Sequence, residues 1–130
     1  MEKFSQGIKI LLATLGGVIT HRLGGWDVML EMLVVLSVLD ILTGVILAVA
    51  QHQLSSDAAW RGFAKKLGIY IMVAVSVALD NLLGTTSLRG VAIGFFIGVE
   101  GISIIENWGN FGLPMPQKLR DVLKQLSDKE

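Results

Sequence analysis

The chain has 130 residues, enough for one compact unit, and 52% of them are apolar while only 17% are charged. A soluble domain usually has about a quarter of its residues charged, so the composition points to a membrane and away from a soluble enzyme. Acidic and basic residues cancel to a formal charge of zero, leaving no global field to draw in nucleic acid, and the lack of cysteine excludes disulfides, thiolate metal sites and cysteine nucleophiles.

Four apolar stretches follow in chain order. The first, roughly Ile8–Leu23, is diluted by Thr14, Gly16, Gly17 and Thr20 and closed by His21 and Arg22. No small-residue cleavage site precedes a polar mature region, so it does not read as a cleaved signal. It either spans the bilayer or lies in the interface as an amphipathic helix. The second, Val28–Ala50, is long enough to span with tilt. The third, Leu67–Leu83, is at the short limit. The fourth reaches spanning length as 88–108. These readings give an all-α, integral membrane fold of three to four transmembrane helices. Residues 1–108 form the transmembrane part.

The links are short, except for Gln51–Lys66. There, Ser55, Ser56 and Asp57 offer helix N-caps. A helix from about Ala58 would place Trp60, Phe63, Ala64 and Leu67 on one face and run from the interface into the third span. Gly84–Ser87 is a tight hairpin. Gly109–Pro116 is rich in Gly and Pro and reads as a loop. Beyond it, Leu119, Val122, Leu123 and Leu126 recur at helical spacing, predicting a short C-terminal amphipathic helix with a charged outer face. Residues 109–130 are thus a loop and tail helix.

Basic residues in short loops favour the cytoplasmic side. Arg61, Lys65 and Lys66 form a basic membrane-surface group in the long link, and Lys118, Arg120, Lys124 and Lys129 lie in the tail. Both regions are then cytoplasmic, with the C-terminus inside. Four spans with both ends inside satisfy most charges, although His21 and Arg22 fit less well. Three spans with the N-terminus outside are the alternative. Trp26, Trp60 and Trp108 fall near the predicted interfaces as anchors.

Acidic residues inside the spans carry the main chemical signal. Asp40 lies in the middle of the second span, Asp80 near the end of the third and Glu100 within the fourth. A carboxylate at the bilayer centre costs about 2.5–3.5 kcal/mol, so it must face protein or water. Ser37, Asp40, Thr43 and Gly44 share one face, as do Ser76, Asp80 and Gly84. Gly90, Gly94, Gly98 and Gly101 form a ridge of small residues that lets another helix approach closely. Glu100 lies on the other side of that helix, near Phe96, Ser103 and Asn107. So small a chain offers little interior of its own, which makes self-association the simplest way to shelter these groups. Each feature also has a plainer reading. Asp40 could pair with Lys65 or Lys66, or bond to Ser37 or Thr43. The glycines could serve packing alone. Glu106 and Asn107 could cap a helix.

No phosphate-binding loop, nucleophile elbow, zinc-protease motif or dinucleotide fingerprint is present, and no cofactor is expected. Asp40 and Asp80 are conceivable as an intramembrane aspartyl pair, but nothing around them supports it.

Several strings, taken in order, carry a resemblance. They are Leu39-Asp40-Ile41-Leu42-Thr43-Gly44, Lys65-Lys66-Leu67-Gly68-Ile69-Tyr70, Asp80-Asn81-Leu82-Leu83, Glu100-Gly101-Ile102-Ser103-Ile104-Ile105-Glu106-Asn107 and Gly112-Leu113-Pro114-Met115-Pro116. From about Val28 to the C-terminus the chain resembles the toxin-secretion/phage-lysis holin family. The resemblance implies a homo-oligomer that permeabilises the bacterial cytoplasmic membrane. An endolysin or toxin would then pass as cargo without stable binding. Under it, Asp40, Asp80 and Glu100, with Ser37, Ser76 and Ser103, either line a lumen or hold helices in register. A small ion channel or transporter subunit, or a structural membrane adaptor, is the competing expectation.

Overall fold

Every apolar stretch folds as a helix in the computed structural model, which describes residues 1–128. Lys129, counted above with the tail's basic residues, lies outside the described residues. The helices are α1 (Glu2–Arg22), α2 (Val28–Ala50), α3 (Ser56–Leu83), α4 (Ser87–Asn110) and α5 (Gln117–Asp128). Three of them, α2, α3 and α4, are long and apolar enough to cross a membrane. The protein is an all-α integral membrane protein.

Local chemistry fixes the ends. The Asp27 carboxylate accepts the Leu30 amide at 2.9 Å and caps α2. The Ser55 hydroxyl does the same for the Ala58 amide at 3.2 Å and starts α3. The interfacial helix expected near Ala58 and the span expected from Leu67 are therefore one continuous helix of 28 residues. At about 1.5 Å per residue it is some 42 Å long, against a hydrocarbon core of about 30 Å. Its first turns carry Asp57, Arg61 and Lys65, all exposed. Gly84 ends α3 in the left-handed region (φ 69°), which turns the chain sharply into α4. Helix α1 starts ahead of the apolar stretch, buries none of its residues and touches α3 only lightly.

Helix α4 is the hub, with α2, α3 and α5 packed on it. The apolar core lies toward the end that carries the α1–α2 and α3–α4 turns. Leu30 and Leu33 of α2, Val73 of α3 and Ile93 of α4 are almost completely buried there, with Leu23 and Ile69 beside them. Toward the other end a cleft of about 890 Å³ is lined by residues of α2, α3 and α4. The outward faces of the three long helices are lined with Val, Ile, Leu and Met, as lipid contact requires.

A candidate functional site: one lysine between two carboxylates

Three helices meet at a charged group on the floor of the cleft. Helix α3 delivers Lys66 because Lys66, Ile69, Tyr70 and Val73 recur at i, i+3, i+4 and i+7, which is its inward stripe. Its ammonium donates to Asp40 Oδ2 on α2 and, at 2.6 Å, to Glu100 Oε2 on α4. All three side chains are largely shielded, with 12% exposure for Lys66, 13% for Asp40 and 3% for Glu100. Asn107 extends the group. Its amide donates to Asp40 Oδ1 at 3.2 Å and to the Thr43 hydroxyl at 2.9 Å. Above it, Tyr70 donates to the buried Ser37 hydroxyl at 2.9 Å. Among the described residues no buried side-chain nitrogen or oxygen is without a partner.

The physical consequence is a staple. Two carboxylates and one ammonium in a low-dielectric setting attract strongly, and removing any member strands an unpaired charge. The group and the Tyr70–Ser37 bond are polar links between α2 and α3. The group holds no nucleophile beside a base. Among the described residues, no cluster of three or more His, Asp or Glu is placed to hold a metal ion.

A second polar group sits at the opposite end. Asp80 is buried on α3 and crosses to the start of α4. It accepts the Thr85 hydroxyl at 2.6 Å and the Leu88 and Arg89 amides at 3.1 and 2.9 Å. It thus caps the helix that follows its own. Arg89 then clamps the α1–α2 turn. It donates to the Leu23 and Gly25 carbonyls at 2.6 and 2.9 Å and grips Asp27 in a forked pair at 2.6 and 3.1 Å. The guanidinium holds the Asp27 carboxyl below its ordinary value of 3.8, helped by the Leu30 amide.

The remaining residues singled out from sequence are dispersed. Ser76 bonds back to Met72 O on its own helix. Ser103 lines the cleft beside Glu100. Arg61 and Lys65 are exposed near the start of α3, whereas Lys66, grouped with them above, is drawn inward. The glycine ridge divides. Space is open around Gly90 and Gly94, but α5 lies directly on Gly98 and Gly101. Sequence reasoning missed the roles of Tyr70, Arg89 and Asp27. The i, i+4 spacing of Lys66 and Tyr70 was the available signal for the first.

Comparison with known proteins adds the following. A model described as the bacteriophage holin family matches residues 17–128, which includes the end of α1. A Clostridium perfringens protein, described as an uncharacterized 14.9 kDa protein in the nagH 3' region, is 42% identical across the whole of both chains. The Bacillus subtilis protein YqxH is 35% identical over 78% of this chain and 73% of its own. A probable holin of Bacillus phage phi105 is 35% identical over 72% of this chain and 70% of its own. No solved structure matches.

Proposed function

The chain belongs to the bacteriophage holin family, and from that premise we propose that it oligomerises in the bacterial cytoplasmic membrane and opens a lesion there. The lesion is wide enough to release an endolysin or, in a toxin locus, a toxin. The protein acts without a cofactor or chemical step, and its partners are the bilayer and other copies of itself. The basic start of α3 and the α4–α5 loop face the cytoplasm, in keeping with the distribution of Lys and Arg.

The observation that carries this reading is the combination of an apolar exterior with a charged group paired within each chain. The Lys66 staple favours a single chain in lipid, because each carboxylate of the group faces the Lys66 ammonium. Chains can therefore accumulate before they assemble. On this geometry Asp40 and Glu100 hold the helices in register, and they do so within one chain. Asp80 ties α3 to α4 in the same sense.

The test is induced expression in a bacterium that also makes a cytoplasmic murein hydrolase lacking any export signal. The culture should grow normally, then clear abruptly. If ions leak while the hydrolase stays inside, the protein is a small channel. If nothing passes and a cytoplasmic partner co-purifies through α5, it is an adaptor. Asp40→Asn and Glu100→Gln should each shift the moment of clearing, and unchanged timing with unchanged oligomer size would remove the staple from the mechanism.

A further inference from the structure

Helix α5 is placed where a lone chain in lipid could not keep it. It runs back along α4 and reaches the middle of that helix. A Cβ built on Gly98 would stand 2.5 Å from the Ser127 amide nitrogen and 2.9 Å from the Leu123 carbonyl oxygen. One on Gly101 would stand 2.6 Å from the Leu123 side chain. At Gly98 only glycine permits this contact, because a Cβ would meet the α5 backbone, whereas at Gly101 it would meet the Leu123 side chain. Gly98 is twelve residues before the end of α4, so Ser127 sits roughly 18 Å along the helix from Asn110, about half the depth of a bilayer.

The face that α5 turns away from α4 is mostly charged, although Leu119 and Val122 are exposed as well. Lys118, Arg120, Asp121, Lys124 and Asp128 are all exposed, while Leu123, Leu126 and Ser127 are partly covered against the hub. Lys124 and Asp128 lie deepest. Charges at that depth are tolerated against water or a partner charge, and among the described residues neither Lys124 nor Asp128 forms an ion pair. The docked position therefore requires water on the outer side of α5. The Phe111–Pro116 loop, outside any helix and holding two prolines, supplies the joint about which α5 can leave the surface and enter.

We infer that α5 is a lumen helix: it docks into the Gly98–Gly101 groove in the assembled lesion, and its charged face forms part of the water-filled wall. The inference rests on the lesion-forming reading above. It assigns lumen lining to the tail, and leaves Asp40, Lys66 and Glu100 as the internal staple.

The natural chain has no cysteine, so a Gly101→Cys, Leu123→Cys pair can fasten α5 to α4 by a disulfide. Purified wild type and the pair are placed in vesicles of mixed zwitterionic and anionic lipid loaded with a small anionic dye. Oxidised once release has begun, the pair should go on releasing dye at the rate of the reduced pair. Release that is abolished by oxidation and restored by reductant would make docked α5 a resting latch and overturn the inference. A second variant, Lys124→Cys, guards against misfolding of the first. Attaching a polyethylene-glycol maleimide to it should slow release several-fold, and unchanged release would place α5 outside the lumen. Wild type that releases nothing would refute the lesion itself, a different result from either.

Discussion

At the residue scale, Lys66 has the most to hold together. Its removal leaves two carboxylates facing each other under α3. Lys66→Met should cost about 3–5 kcal/mol, the range for breaking a buried charge pair from one side. Asp40→Asn, Lys66→Met and Glu100→Gln combined should recover most of that loss, because no unpaired charge is left. Unfolding by SDS titration in detergent micelles measures both, and a triple variant no more stable than Lys66→Met would argue against the staple. The Asp27–Arg89 clamp makes a prediction about pH. The folded carboxyl lies below its ordinary value of 3.8, so the clamp stabilises the fold at every pH above that value. Its contribution fades only as pH falls through the folded value. Melting curves of wild type and Asp27→Asn should therefore differ at pH 7 and converge in strong acid. A difference that grew on acidification would reverse the sign.

At the scale of the helices, membrane-spanning stretches were readable because the bilayer dictates length and hydropathy together. The extents of α2 and α4 follow the apolar stretches closely, and Asp27 and Ser55 show why two of the starts fall where they do. Lys66 was harder to read. Beside Arg61 and Lys65 it looks like one more cytoplasmic charge, and only the three-helix arrangement draws it inward while its neighbour stays outside. Asn107 likewise read as a helix cap, yet it reaches Asp40 and Thr43 across to α2. The amphipathic pattern of α5 announced an apolar face but not the surface that receives it. That surface predicts an asymmetry within the glycine ridge. Gly98→Leu should force α5 off α4, at a cost of about 1–3 kcal/mol for an overpacked contact. In vesicles that have begun to leak, trypsin should then cut at Lys118, Arg120 and Lys124 much faster. Gly90→Leu, with open space around it, should leave the digestion unchanged. Equal protection in both variants would mean that α5 does not depend on the groove.

At the scale of the whole molecule, charge is partitioned by function. One charged group is paired between α2, α3 and α4, one clamp ties the far turns, and five exposed charges stand on α5. Such a chain suits two environments. Alone, it offers lipid an apolar surface. On the proposed assembly, the polar face of α5 meets water. Helix α1 stands apart from this scheme, since it buries nothing. Deleting residues 2–22 should leave the melting temperature of the α2–α4 core in detergent within a few degrees of wild type, and a large drop would mean that α1 packs more closely than this fold describes. The central claim is that assembled copies open a wide hole, and graded solute release tests it most directly. Purified protein is added to vesicles holding a small dye together with dextrans of increasing size. Beyond a threshold protein concentration, dye and large dextran should escape together. Escape of ions or dye alone, with every dextran retained at all concentrations, would contradict it.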